Sequence, residues 1–219
     1  MRFGHDIKGA ILDVDGVLLD SLGIWKDLGA RYLATQGIEP KAGLEETLFS
    51  MSMEQGAEYL KKTYALDTTP NQIMDGLKGM LRDFYLFEVP PKEGAAELLS
   101  ALDAAGVRMV AATSSPREHV SAALERTGLL PYVDRMFTNA EVGSSKHSPK
   151  IYDAAAEFLG FVKEETCVFE DSLYALKTAA QTGYRTVGVF DKNGETDQKG
   201  LKDLAEVYVK SLHELQRLF

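Results

Sequence analysis

The sequence predicts an α/β fold, a doubly wound and mostly parallel sheet with a helical segment inserted after its first strand. Short apolar segments of strand length recur along the chain, and helix-period stretches separate the later ones, as in successive strand–helix–strand units. From residue 20 to residue 89 this rhythm changes, because three predicted helices, over residues 20–37, 44–64 and 70–87, follow one another and no strand pattern lies between them.

The predicted strands are GAILDV (9–14), VRMVAAT (107–113), RMFTN (135–139), TCVFED (166–171) and RTVGVF (185–190). Predicted helices cover residues 93–105, 117–127, 150–159 and 173–182. Gly106, Gly128 and Gly183 stand where three of these helices should end, since glycine readily adopts the left-handed conformation that closes a helix. The single cysteine, Cys167, excludes an internal disulfide, and its place in a strand predicts a buried, inert thiol.

Residues 20–89 are predicted to form a helical cap domain, inserted into a core domain made of residues 1–19 and 90–219. Asp20 and Ser21 are expected to N-cap the first of its helices, and Pro90 and Pro91 to stop the last. Because the insertion directly follows the first strand, we expect it to cover the end of that strand. Candidate hinges lie near residues 19–20 and 89–91.

The composition is that of a globular protein, with 219 residues, 45% hydrophobic residues, 26% charged residues and a formal net charge of −9. There is no cluster of lysine and arginine typical of a nucleic-acid or membrane-surface site, so we expect neither partner. No apolar segment is long enough to span a bilayer, and Asp13 and Asp15 interrupt the first one, which argues against a signal peptide. A cytoplasmic location is therefore predicted. The sequence does not specify an oligomeric state, and a monomer is compatible with it.

Two carboxylates one residue apart, Asp13 and Asp15, follow the first strand in the segment IKGAILDVDGVLLDS. Carboxylates next to a core are costly unless they are paired or hold a metal. Side chains alternate along a strand, so these two should point the same way. A purely structural role, such as capping a turn, is the alternative interpretation.

Polar residues also follow the other predicted strands. These residues are Thr113, Ser114 and Ser115 at the end of the second strand, Lys146 after the third, and Glu170 and Asp171 at the end of the fourth. Ligands of doubly wound sheets bind at the carboxyl ends of the strands, so these side chains should converge there. Taken singly, Thr113 could be a helix cap and Lys146 a solvated surface lysine.

This set of residue types suits magnesium and phosphate. Mg²⁺ takes oxygen ligands, whereas a lysine and a loop of backbone N–H groups suit phosphate oxygens. An aspartate that attacks phosphorus forms an aspartyl-phosphate, and a second carboxylate can carry the proton. Gly16 would allow the backbone to approach the phosphate closely.

Four motifs in order, DVDGVLLDS, ATSSP, SKHSPKIY and FEDS, make the chain resemble the haloacid dehalogenase superfamily of phosphohydrolases. The resemblance runs nearly end to end and is to the subfamily with a helical cap and a Rossmann-like core. It implies that Asp13 is the nucleophile and Asp15 the general acid/base. Thr113 and Lys146 would bind phosphate. Mg²⁺ would be held by Asp13, Asp171 and the backbone carbonyl of Asp15, with Glu170 at or near the metal.

The chain departs from the family pattern at several positions. Family members commonly have Gly-Lys-Pro in the third motif, whereas Ser145 and His147 flank Lys146 here, and Lys150 stands where an aspartate is frequent. The phosphate lysine is therefore expected to be Lys146, with Lys150 as the weaker candidate. For His147 the alternatives are a surface residue and a contact with phosphate or substrate.

The resulting functional hypothesis is an Mg²⁺-dependent phosphatase that acts on a small phosphorylated metabolite, such as a sugar phosphate. A β-phosphoglucomutase-like mutase is the first alternative, and Trp25 argues against it because mutase-like members usually carry a histidine in that cap helix. The second alternative is a non-catalytic protein of the same fold that binds phosphate or a partner.

Overall fold

The computed structural model describes residues 6–49 and 51–218, so the first five residues of the predicted core domain lie outside the described part. The chain divides into two compact units, one formed by Met1–Ser21 with Val89–Phe219 and the other by Leu22–Glu88. Within the described residues, no helix combines the length and the apolar character that crossing a bilayer requires.

The first unit is built on a six-stranded parallel sheet with the strand order β3-β2-β1-β4-β5-β6. The strands are β1 Gly9–Leu12, β2 Arg108–Thr113, β3 Arg135–Thr138, β4 Thr166–Glu170, β5 Arg185–Val189 and β6 Val207–Val209. All of β1 is buried, as expected for a central strand covered on both faces. Strands β2 and β3 lie on one side of β1, and β4, β5 and β6 lie on the other side. The direction in which strands are added therefore reverses between β1 and β4. The predicted doubly wound α/β fold is confirmed.

Helices flank this sheet: α5 Ala95–Ala104, α6 Arg117–Arg126, α7 Asn139–Val142, α8 Lys150–Leu159, α9 Leu173–Gln181 and α10 Gln198–Leu204. The four helices predicted in this unit are confirmed with their ends shifted by at most two residues. Gly106, Gly128 and Gly183 all have positive φ, as predicted for helix ends. Strand β6 and helices α7 and α10 were not predicted, since each has seven residues or fewer and too little sequence to show a period.

The second unit is helical in its described residues, as predicted. Its helices are α1 Ile24–Thr35, α2 Leu44–Phe49, α3 Met53–Tyr64 and α4 Pro70–Asp83, and a π-helical turn, Phe84–Glu88, follows. The prediction of one helix over residues 44–64 is wrong. A new helix starts at Met53 because Ser52 and Gln55 form a capping box, in which each side chain accepts from the backbone N–H of the other.

The predicted N-cap at Asp20 and Ser21 is also wrong. Helix α1 begins at Ile24, and its N-cap is Gly23, which offers no side-chain oxygen to the free N–H groups. In the same unit, Trp25 is 54% exposed and shares with Met51 and Met53 the lining of a small apolar cavity of about 100 Å³.

Candidate active site

The predicted nucleophile, Asp13, lies directly beyond β1, the central strand of the sheet. Its backbone N–H donates to the carbonyl of Phe169 in β4, which continues the ladder by one residue. The residue is buried, with 8% of its surface exposed, and its Oδ1 accepts a hydrogen bond of 2.7 Å from the N–H of Val14. The sheet thus holds this carboxylate at the point where the strand order reverses, the usual position of a ligand site in such folds.

Lys146 connects β1 to β4 through two short ion pairs. Its Nζ lies 2.7 Å from Asp13 Oδ1 and 2.7 Å from Glu170 Oε1, and the side chain is only 2% exposed. Burial alone would lower the pKa of Lys146, but the two carboxylates raise it above its usual value. Lys150, the weaker candidate, is exposed at the start of α8. The structure therefore places Lys146, and not Lys150, among the predicted site residues.

Asp13, Glu170 and Asp171 form a buried cluster in which one oxygen of each lies within 4.8 Å of the others. Burial raises the pKa of all three, of Glu170 well above its usual range and of Asp171 to about 7. Removal from water is the largest cause, neighbouring carboxylates raise the pKa values further, and the single ammonium group of Lys146 only partly offsets both effects. When all three carboxyl groups are ionised, the cluster carries three negative charges against the single positive charge of its lysine.

The two carboxylate oxygens of Glu170 differ in their hydrogen bonding. Oε1 receives Lys146 and also the hydroxyl of Tyr152, which donates at 2.9 Å. Oε2 is buried and has no hydrogen-bond partner in the described part of the chain. An orphaned oxygen in a cluster of hard, anionic ligands with excess negative charge fits a divalent cation. The residues present therefore fit a divalent metal ion.

Asp15 lies in a different environment from Asp13. Its Oδ1 accepts from the hydroxyl of Ser21 at 2.6 Å, and its Oδ2 accepts from the hydroxyl of Ser115 at 2.7 Å. In the described residues its side chain is not part of the three-carboxylate cluster, which is compatible with the prediction that only its backbone carbonyl contacts the metal. Two hydroxyl groups thus fix the orientation of this carboxylate.

The predicted phosphate-binding residues lie at the end of β2 or on the loops that follow the strands, at the same edge of the sheet. Thr113 ends β2, is fully buried, and accepts through its hydroxyl from the N–H of Ser115 at 3.0 Å. The hydroxyl of Ser114 accepts from Asn139 Nδ2 at 2.7 Å. Gly16 has a φ of 79°, which L-residues with a side chain rarely adopt, so a glycine is required there.

Two residues around the site, Tyr152 and Ser21, were not predicted to be functional, and their hydroxyls bind Glu170 and Asp15. Ser115 was predicted to lie at this edge of the sheet, but its hydrogen bond to Asp15 was not predicted. For Tyr152 the sequence does carry a signal, because a tyrosine on the apolar face of α8 needs a partner for its hydroxyl. For the two serines no pattern in the sequence indicates the contact.

Residues 7–183 of the chain match the family model of haloacid dehalogenase-like hydrolases. The chain belongs to this family. As a haloacid dehalogenase-like hydrolase it is an enzyme, and the resemblance predicted from its four motifs is confirmed.

Named relatives extend over most of this haloacid dehalogenase-like hydrolase. The validoxylamine A 7′-phosphate phosphatase of Streptomyces hygroscopicus subsp. limoneus is 31% identical over 212 residues, covering 95% of the chain and 96% of the relative. The phosphorylated carbohydrates phosphatase of Thermotoga maritima is 23% identical over 181 residues, covering 83% of the chain and 84% of the relative. A solved Thermotoga maritima structure, described as a proposed β-phosphoglucomutase, has a TM-score of 0.86 at 23% identity and covers 97% of this chain and 100% of that one. At this identity the structure shows the shared fold.

Proposed function

We propose that this hydrolase is a phosphatase that releases phosphate from a small organic phosphomonoester, such as a sugar phosphate, through an aspartyl-phosphate at Asp13. The observation that carries the proposal is the Lys146 ammonium, held 2.7 Å from both Asp13 and Glu170 at the carboxyl edge of the sheet. Relatives named as phosphatases of phosphorylated carbohydrates and of validoxylamine A 7′-phosphate support the substrate class.

In the proposed reaction, Asp13 Oδ forms a bond to phosphorus while the bond from phosphorus to the leaving oxygen breaks. Asp15 gives its proton to that leaving alcohol. It then takes a proton from the water that attacks the aspartyl-phosphate, which regenerates the Asp13 carboxylate and yields inorganic phosphate. Ser21 and Ser115 hold the Asp15 carboxylate in one orientation for both transfers.

The phosphate oxygens would be bound by Lys146 and by the loops after β1 and β2. Lys146 offers a buried positive charge, which is more effective than an exposed one because little water screens it. Thr113 and Ser114 offer hydroxyls, and Gly16 leaves room for a close approach to the backbone. These groups would stabilise the charge that the phosphoryl oxygens carry in the transition state.

Asp13, Glu170, Asp171 and the backbone carbonyl of Asp15 would hold Mg²⁺. When bound, Mg²⁺ neutralises charge between the nucleophile and the phosphoryl oxygens. Glu170 would offer Oε2, because Lys146 and Tyr152 already occupy its Oε1. The role of the helical unit, Leu22–Glu88, as a cap stays a prediction.

The proposal is tested by phosphate release from a panel of sugar phosphates and other small phosphomonoesters, with Mg²⁺ and with a chelator. We expect release from a few related compounds and a loss on the order of a hundredfold or more under chelation, since a bound metal contributes several kcal/mol to such a reaction. Interconversion of sugar phosphates without phosphate release would instead support the mutase. Binding without either reaction would support the non-catalytic alternative.

Tyr152→Phe should weaken the affinity for Mg²⁺ by about tenfold, the lower end of the effect seen when a group that orients a metal ligand is removed. The tyrosine hydroxyl donates a hydrogen bond of 2.9 Å to Glu170 Oε1. Without this hydrogen bond the Glu170 carboxylate can rotate. Isothermal titration calorimetry with MgCl₂ measures the change. Because the ring is fully buried, the phenylalanine keeps the packing.

Tyr184→Phe is the matched control. Tyr184 belongs to the same apolar core and also donates to a carboxylate, Asp153 Oδ1 at 2.8 Å, but this carboxylate lies outside the metal-ligand cluster. Its Mg²⁺ affinity should equal that of the unmodified protein. Equal losses in both variants, or no loss in Tyr152→Phe, would argue that Tyr152 does not orient Glu170.

A further inference from the structure

Lys146 and His147 are the two central residues of one tight turn. The N–H of Ser148 donates to the carbonyl of Ser145 at 3.0 Å, which closes a four-residue turn around them. The Lys146 side chain points inward and is 2% exposed, whereas His147 is exposed on the outside. Any rearrangement of this turn would move both side chains.

The outer face of the turn is tied to the start of helix α9. The imidazole ring of His147 stacks on the phenol ring of Tyr174, with 4.4 Å between centroids and 28° between planes. Tyr174 is the second residue of α9 and follows Asp171 by three positions. The helix start is itself anchored, because the N–H of Leu173 donates to the Glu195 carboxylate at 3.0 Å.

We propose that His147 and Tyr174 are positioning residues, an aromatic clasp that holds the Lys146 ammonium between Asp13 and Glu170. Where it concerns turnover, this inference rests on the proposed function. During phosphoryl transfer Lys146 has to shift part of its bonding from Asp13 to the phosphate oxygens. The stack contains no reacting group, so it can hold the turn throughout.

The local sequence explains why a side-chain clasp is needed here. A proline at position 147, as in the Gly-Lys-Pro pattern common in the family, would restrict the backbone of the turn by fixing its own φ. Histidine gives no such restriction. A stacked aromatic pair supplies a comparable restraint from outside the turn.

The first test measures the accessibility of Lys146 and needs no enzymatic activity. His147→Ala and Tyr174→Ala remove the stack, whereas His147→Phe and Tyr174→Phe keep two rings. Acetylation by acetic anhydride is followed by peptide mass spectrometry, with Lys62, 80% exposed, as the internal reference. We expect Lys146 to react about fivefold faster in the alanine variants and at the original rate in the phenylalanine variants.

The second test measures phosphate release from the best substrate of the panel. In both alanine variants kcat should fall about fivefold with KM changed less, and the phenylalanine variants should recover it. The double alanine variant should match the single ones, because each already breaks the same contact. Thermal unfolding confirms that every variant is folded at the assay temperature.

Phe158→Ala is the matched control. Phe158 is 37% exposed, similar to Tyr174 at 41%, and its ring packs against Phe137 and under Arg108 and Arg135. These two arginines begin β2 and β3, so this aromatic pair lies near the opposite end of the strands. Neither Lys146 labelling nor kcat should change.

Unchanged Lys146 labelling in both alanine variants would overturn the clasp. Equal acceleration in the alanine and phenylalanine variants would overturn it as well, since the rings would then not be the cause. If the unmodified protein released no phosphate from any compound, the proposed function would fail, and the labelling result would still decide whether the clasp exists.

Discussion

Replacement of Lys146 by methionine should lower the free energy of unfolding by about 3–5 kcal/mol, the usual effect of removing one partner from a buried ion pair. Methionine is a flexible apolar side chain that can fill much of the space but leaves Asp13 and Glu170 without their cation. Both carboxylates are buried, and each forms an ion pair with Lys146 in which Nζ lies 2.7 Å from the carboxylate oxygen. Chemical denaturation in the presence of chelator measures the change.

The same variant should lose phosphate release by on the order of a hundredfold or more, because a buried cation next to the transferred phosphoryl group is removed. Lys150→Met is the matched control, since it makes the same change four residues away at an exposed position. Its free energy of unfolding should stay within about 0.5 kcal/mol of the original value. If Lys146→Met were as stable and as active as Lys150→Met, the ion-pair bridge would have no role in either property.

The convergence of Asp13, Thr113 and Glu170 was predictable because strand geometry determines it. Residues at the carboxyl ends of β1, β2 and β4 must meet at one edge of a parallel sheet, whatever the helices between them do. The pairing of Lys146 with Glu170 was not predictable in the same way. It depends on the turn at residues 145–148, whose shape follows from hydrogen bonds and not from a periodic pattern.

Ser21 shows why the remaining contacts escaped prediction. A serine at the start of a helical pattern is typical of an N-cap, and the sequence offers no competing signal. In the structure its hydroxyl instead donates a hydrogen bond of 2.6 Å to Asp15, six positions earlier in the chain. The chain folds back between these two residues, since the N–H of Gly16 donates to the carbonyl of Leu19. A contact made by a folded-back loop depends on tertiary geometry, which local propensity does not contain.

The split of residues 44–64 into α2 and α3 has a similar origin. The apolar residues of this segment continue at helical spacing across the break, so periodicity alone favours one helix. The capping box at Ser52 and Gln55 is a short-range signal that outweighs it, since it satisfies two backbone N–H groups at the start of α3. Capping motifs inside a long periodic segment therefore deserve more weight than the period.

Asp13→Asn should abolish phosphate release, with a residual rate below about one-thousandth of the original, because an amide oxygen is not a competent nucleophile towards phosphorus. The change is isosteric, and Val14 N–H can still donate to the side-chain oxygen. Lys146 keeps Glu170 as its partner, so the loss of stability should be smaller than in Lys146→Met. Phosphate release and chemical denaturation measure the two effects separately.

The covalent step itself can be tested on the same pair of proteins. Rapid acid quenching during turnover, followed by peptide mass spectrometry, should find one phosphoryl group on the peptide that contains Asp13, and none in Asp13→Asn. Asp153→Asn is the control, since Asp153 is an ion-paired carboxylate on α8, 2.6 Å from Lys163 and outside the metal-ligand cluster, and it should keep full turnover. Retained turnover in Asp13→Asn would exclude an aspartyl-phosphate at this residue, because the asparagine amide cannot form that intermediate.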